Sequence, residues 1–224
     1  TSPSARIVRY YSPSTTAGLA GAYDKRYYVP EVQVWGDGRM IWVVQARDSR
    51  RLLEGQLTSW QLKSLLQNIV DAGFFGWEQR YYTPGGHSFP FMHLEVNLIG
   101  HSKEVSEHGG APEAFYELVE FLKGAAGAEG HEYVPAQGYL TATVLGPPEQ
   151  IGATPEAQWP DATAGFALDE VEDGRYIEGE ALAFAWQLVN QYTRAPVYVE
   201  SKGNLHTIMV QIPGVSFVDP PLPD

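Results

Sequence analysis

Residues 31–44 read Glu-Val-Gln-Val-Trp-Gly-Asp-Gly-Arg-Met-Ile-Trp-Val-Val, and they hold the strongest turn signal in the chain. Two β-rich runs flank Gly36-Asp37-Gly38, and both residue types tolerate the positive φ of a tight hairpin turn. In the first run Val32 and Val34 alternate with Glu31, Gln33 and Trp35, the period-two pattern of a half-buried strand. The second run, Met40 to Val44, is apolar throughout, which predicts a strand deeper in a sheet.

Toward the N-terminus, Ile7 to Tyr11 reads as a first strand, and Ser12 to Gly21 as a small, polar loop. Tyr23 to Pro30 is aromatic and charged. Beyond the hairpin, residues 46–55 are polar and carry Arg47, Arg50 and Arg51. Thr58-Ser59-Trp60-Gln61 then fits a capping box, with Leu62, Leu65, Leu66, Ile69 and Val70 at helical spacing and Gly73 as the stop. Residues 91–98 alternate cleanly, Met92, Leu94, Val96 and Leu98 against His93, Glu95 and Asn97. Gly100 marks a turn from which 103–106 can pair back. Pro112 opens a second helix over 113–123, and GAAGAEG (124–130) reads as a flexible linker. The second half predicts a strand at 139–145, a well-buried helix at 179–191, and a hairpin of 197–201 with 205–212 across Lys202-Gly203-Asn204. The Pro-rich tail from Pro213 is expected to lie along the surface.

Helices grouped with antiparallel strands predict an α+β fold: antiparallel sheets built from hairpins with about three packed helices. The expected division is 1–123, a linker at 124–132, and 133–224, or one continuous domain. The 31–44 hairpin is expected to pair with 91–98 in one sheet, with the 59–72 helix across it.

Composition narrows the function. The 224 residues are 44% hydrophobic, enough to bury a core. No run approaches the ~20 apolar residues of a membrane crossing. The formal charge is −12. Residues 1–130 hold twelve Lys/Arg against fourteen Asp/Glu, and residues 131–224 hold three against thirteen. Such a chain is a poor match for phosphate backbones or anionic lipid, so no nucleic-acid partner is expected. With no cysteine there are no disulfides, thiolate zinc sites or thiol nucleophiles. The opening TSPS and the small, polar run after Tyr11 read as a tether for a domain held near a membrane.

The pattern VPEVQVWGDGRMIWV, then LTSWQLKSLLQNIVDAGFF, then Tyr133-Val134-Pro135 before a strand, then Gln158-Trp159-Pro160, resembles uncharacterised bacterial secreted proteins and lipoproteins. In these a proline and an acid precede a YGDGR-like hairpin. The last unit, from Ile177-Glu178-Gly179-Glu180 to Gln211-Ile212-Pro213-Gly214, is similar to that group's last unit. The resemblance implies export, an extracytoplasmic place and a lipid anchor. It carries no catalytic residues. Many members place a cysteine before the last helix, and this chain has none.

Five histidines fall between His87 and His131, none at the i,i+4 spacing of a zincin helix. His93 and Glu95 share a strand face and, with His101 across a turn, are the transition-metal candidates. Asp169, Glu170 and Asp173, in the acidic loop DEVEDGRYIE, are the calcium candidates, although the spacing is not an EF-hand. In each case solvated side chains are the simpler explanation, and no metal or other cofactor is expected. Asp37 reads as a turn residue. Ser88 beside His87 lacks a nucleophile-elbow context. The loop Tyr81 to Phe89 is the foremost surface: Tyr81, Tyr82 and Phe89 bracket Thr-Pro-Gly-Gly, and aromatic rings on a Pro/Gly-shaped loop suit an interface. Tyr27 and Tyr28 form a similar, weaker case.

These readings predict a non-enzymatic extracytoplasmic module that binds another protein, as a peripheral part of a membrane-associated or surface assembly. The alternatives are a metal-dependent hydrolase using the His-rich middle and a glycan-binding module.

Overall fold

In the computed structural model, residues 4–12, 29–45, 49–84, 91–171, 173–191 and 197–222 are described. The chain divides into two units, one holding the N-terminal strand with Pro30–Val44 and Arg51–Tyr133, the other holding the residues from Val134 onward.

The first unit is built on an eight-stranded sheet. Its strands are β1 (Arg6–Tyr11), β2 (Val32–Trp35), β3 (Arg39–Gln45), β4 (Arg50–Gln56), β5 (Arg80–Tyr82), β6 (Met92–Leu98), β7 (His101–His108) and β8 (Gly130–Glu132). They lie in the order β5-β7-β6-β1-β2-β3-β4-β8, mostly antiparallel, with β5 parallel to β7. The turn between β2 and β3 forms as its residues require. Gly38 takes φ +90° and donates to the Trp35 carbonyl, while the Asp37 carboxylate accepts from the Arg39 amide at 2.9 Å. A Cβ at position 38 would sit 2.7 Å from the Leu57 carbonyl oxygen.

Helix α1 (Ser59–Asp71) begins at the expected capping box: Thr58 Oγ accepts from the Gln61 amide, and Gln61 Oε1 accepts from the Thr58 amide. Gly73, at φ +77°, ends it. Helix α2 (Glu113–Lys123) buries Phe115, Leu118, Val119 and Leu122. These join Leu65 and Ile69 of α1 and Val8, Tyr10, Val32, Val34, Met40, Leu94, Val96 and Val105 in one core. Both long helices therefore cover the same apolar face of the sheet.

The 31–44 hairpin and β6 share this sheet, but they do not pair. β1 lies between them, with Val8 opposite both Val34 and Val96, and Tyr10 opposite both Val32 and Leu94. Its apolar side chains fit a position flanked on both edges better than a sheet margin. β4 replaces the polar stretch expected at 46–55; only Leu52 and Leu53 in it are apolar, too few to announce a strand.

Residues 124–132 also differ from a flexible linker. Ala125 and Ala126 are buried in a 3-10 turn, and β8 pairs with β4 at the sheet margin. Gly130 is small because Trp42 leaves no room: a Cβ there would stand 2.1 Å from its ring.

The second unit has a five-stranded sheet of β9 (Gly138–Gly146), β10 (Ala157–Gln158), β11 (Arg175–Ile177), β12 (Tyr198–Ser201) and β13 (Asn204–Gln211), ordered β10-β12-β13-β9-β11. β12 and β13 are the expected hairpin, turning at Lys202 and Gly203 with positive φ at both. Helix α5 (Gly179–Gln191) is the expected third long helix, but only one side of it is buried, through Ala181, Leu182, Ala185, Leu188 and Asn190. Two four-residue helices, α3 (Pro148–Ile151) and α4 (Asp161–Ala164), make five α-helices among the described residues against the expected three. The tail is more than a surface strap, since Val215 and Ser216 are buried. The architecture is thus mixed α and β with two mostly antiparallel open sheets.

Candidate functional site

Strand parity divides the first unit's sheet. Leu94, Val96 and Val105 turn to the core, so His93, Glu95, Asn97, Ser102, Glu104, Ser106 and His108 share the other face with Arg9 and Tyr11 of β1. These side chains are organised. Arg9 Nε donates to Glu95 Oε2 at 2.7 Å, and Asn97 Nδ2 donates to Glu95 Oε1 at 2.8 Å. The Tyr11 and His93 rings stack 4.5 Å apart and 1° from parallel. Glu104 Oε1 lies 3.1 Å from the Tyr11 hydroxyl and 3.0 Å from His93 Nδ1. Burial raises the Tyr11 phenol well above its ordinary range, and the Glu104 carboxylate adds to the shift.

Ser106 Oγ also stands 3.0 Å from His93 Nδ1. A nucleophile relay needs the hydroxyl and the carboxylate on opposite ring nitrogens. Here both meet the same nitrogen, so this arrangement is a hydrogen-bond junction rather than a triad.

At the end of the same face lies a three-ring stack. His108 is buried between Phe91 (3.9 Å, 5°) and Tyr82 (5.5 Å, 20°). The outer rings remain open, Tyr82 56% and Phe91 46% exposed. The neighbouring carboxylate of Glu107 is buried and takes up the Gly109 amide at 2.7 Å and the Tyr116 hydroxyl. Burial, followed by that bond, pushes the Tyr116 phenol up to about 12. The bracing fixes the β7 end on which His108 sits.

The expected aromatic loop divides at its first two residues. Tyr81 packs half-buried against the core and accepts the Glu78 amide at 2.9 Å, while Tyr82 stays in solvent. Phe89, Tyr27 and Tyr28 lie outside the described residues, as do His87 and Ser88. Neither the exposed Phe91 nor the buried His108 is singled out by the sequence. Their signal was in the alternation, which places His108 in line with Glu104 and Ser106.

Of the transition-metal candidates, His93 and Glu95 share the polar face, each already engaged. His101 pairs with Leu98, which puts it on the opposite face, against the Phe75 ring at 5.5 Å. The two-residue turn Ile99-Gly100 sets that parity. The calcium candidates also diverge. Asp169 Oδ1 meets His206 Nε2, Glu170 caps the Ala167 amide, and Asp173 accepts the Tyr139 hydroxyl through its backbone carbonyl. Among the described residues no three His, Asp or Glu side chains are arranged to hold a metal ion. His206, isolated in the sequence, is the buried partner of Asp169.

A shallow groove of about 440 Å³ runs beside α1, lined by Gly36, Asp37, Leu57, Leu62, Lys63 and Leu66 among others. No helix among the described residues is long and apolar enough to cross a membrane. Compared with protein-family models, curated proteins and solved structures, the chain matches none.

Proposed function

We propose that this chain is a non-enzymatic, extracytoplasmic protein-binding module, a peripheral member of a membrane-associated or surface assembly. Its contact surface is the end of the first unit's sheet, where Tyr82 and Phe91 flank His108. The observation that carries the reading is the exposure of these two rings, both stacked on the buried His108. Rings already held in place lose little entropy on docking, and aromatic anchors dominate interface energetics. The polar rim of His93, Ser106 and Glu104 beside them fits the usual anatomy of an apolar centre with a hydrogen-bonding border. The lipid-anchored placement rests on the resemblance to secreted proteins and lipoproteins.

The same border of hydroxyl, carboxylate and imidazole next to an open ring also suits a sugar, whose C–H face stacks while its hydroxyls bond. Glycan binding is therefore the second reading.

The test compares the wild-type chain with the Tyr82→Ser/Phe91→Ser variant as bait on solubilised native envelope, with a glycan array in parallel. One protein retained in stoichiometric amount by the wild type and bound at least about 30-fold more weakly by the variant, at unchanged melting temperature, is the expected result; the factor corresponds to about 2 kcal/mol, a single hot spot. Equal retention by both chains, or a selective array signal without a retained protein, overturns the protein-binding reading.

A further inference from the structure

The first unit's sheet ends at β5, on the rim of the aromatic surface. β5 runs parallel to β7, with Arg80 opposite Ser106 and Tyr82 opposite His108, and the register is unbroken. In such a ladder alternate residues turn their amide and carbonyl toward the same neighbour. The Gln79 carbonyl accepts from the Ser106 amide at 2.9 Å, and the Thr83 amide donates to the His108 carbonyl at 3.2 Å. Gln79, Tyr81 and Thr83 therefore face β7. Arg80 and Tyr82 each direct an N–H and a C=O away from the sheet, and among the described residues nothing takes these groups up.

The side chains of β5 divide by the same parity. Tyr81 packs against the core, while Arg80 and Tyr82 stand exposed on the polar face beside Ser106 and His108. The Tyr82 ring is already seated on His108. The Arg80 guanidinium has no carboxylate partner among the described residues, although the chain carries 27 Asp and Glu against 15 Lys and Arg. Sheet margins are commonly closed to other strands by a proline or a bulge, and β5 has neither. A lone cation at such a margin repels a basic strand and admits one that brings an acid.

We infer that the partner docks by adding an extended strand to β5, with a carboxylate opposite Arg80 and an apolar side chain two residues away against the Tyr82 ring. This rests on the protein-binding reading above and names the chemistry that the partner brings. Main-chain bonds to Arg80 and Tyr82 supply affinity, and the two side-chain positions supply selectivity. Residues two apart on a strand fall on one face, so an acid and an apolar residue at that spacing match Arg80 and Tyr82.

The test titrates the whole chain with a blocked peptide, Val-Thr-Glu-Thr-Val, which presents the same spacing in either strand direction, and with its analogue carrying lysine for glutamate. Amide hydrogen exchange and NMR shifts are read at residues 79–83. In the free chain the Arg80 and Tyr82 amides should exchange fast. With the glutamate peptide at about ten times its Kd they should slow roughly tenfold, while the Tyr81 and Thr83 amides, already donated to β7, change little. The lysine peptide should bind at least about fivefold more weakly, the scale of one cross-strand charge pair. Arg80→Glu, at unchanged melting temperature, should reverse that preference. Absence of binding, shifts confined to the Tyr82 and Phe91 rings, equal binding of the two peptides, or a preference that Arg80→Glu leaves unchanged would each overturn strand addition. So would protection of the same amides that rises with protein concentration without peptide, which assigns the margin to a second copy of the chain. The peptide reports on strand addition alone; its failure while a ring-dependent envelope protein is still retained leaves the contact surface of Tyr82 and Phe91 standing.

Discussion

Gly130→Ala separates two opposed accounts of residues 124–132 by the sign of its effect. In a flexible tether the change should be neutral or stabilise by about 0.4–1 kcal/mol, because alanine restricts the unfolded chain. In the structure the added Cβ would lie 2.1 Å from Trp42 Cη2 and 2.5 Å from Cζ2. The ring cannot retreat easily. It is buried, and a Cβ built on Gly55 would already be only 3.2 Å from it, so backbone lies close on that side too. Overpacking of this kind costs about 1–3 kcal/mol. At about 2 kcal/mol the melting temperature should fall by about 4–8 °C for a chain of this size. The assay is urea unfolding followed by far-UV circular dichroism, repeated in a Trp42→Leu background where the clashing atoms are gone. There the alanine should cost at least about 1 kcal/mol less, a coupling expected of residues in contact. A stabilising Gly130→Ala, or an equal cost in both backgrounds, refutes the packing argument.

Two further outcomes follow from local geometry. Thr58→Ala removes the side-chain acceptor of the α1 capping box and should cost about 1 kcal/mol, read as a lower urea midpoint at unchanged slope; an unchanged midpoint means that α1 does not depend on its cap. The second concerns alkaline pH. Burial raises the phenols of Tyr10, Tyr11 and Tyr133, and Tyr116 is pushed up to about 12, whereas unfolded tyrosines ionise near 10. The unfolded chain therefore loses these protons first, and stability should decline as pH rises above about 10. Absorbance titration of the phenolates should show a delayed group in the native chain relative to the denatured one; coincident curves would contradict the burial of these rings.

The hairpin at 31–44, both long helices of the first unit, the β6–β7 pair and the closing hairpin of the second unit were all legible in the sequence. Each rests on a local signal: Gly36-Asp37-Gly38, the Thr58–Gln61 box, Pro112, Gly100 and Lys202-Gly203. Turn and cap chemistry acts between residues a few positions apart, so the order of letters suffices. The alternation in 91–98 likewise names the side chains that β6 gives to the polar face, His93, Glu95 and Asn97. Tertiary structure decided the rest, because those features depend on pairs far apart in sequence. β1 lies between the hairpin and β6 through contacts spanning more than 80 residues. β5, β8, β10 and β11 have two or three residues each and are strands only because an existing sheet edge accepts them. Small residues at 124–130 look like a tether until Trp42 is seen against Gly130. Tyr81 and Tyr82 are adjacent and chemically alike, yet neighbours outside their own segment hold one half-buried against the core and leave the other largely in solvent. Asp169 and His206, 37 positions apart, meet only because the fold carries the 3-10 turn Leu168–Glu170 onto β13; spacing holds no trace of a contact whose two halves lie on separate elements.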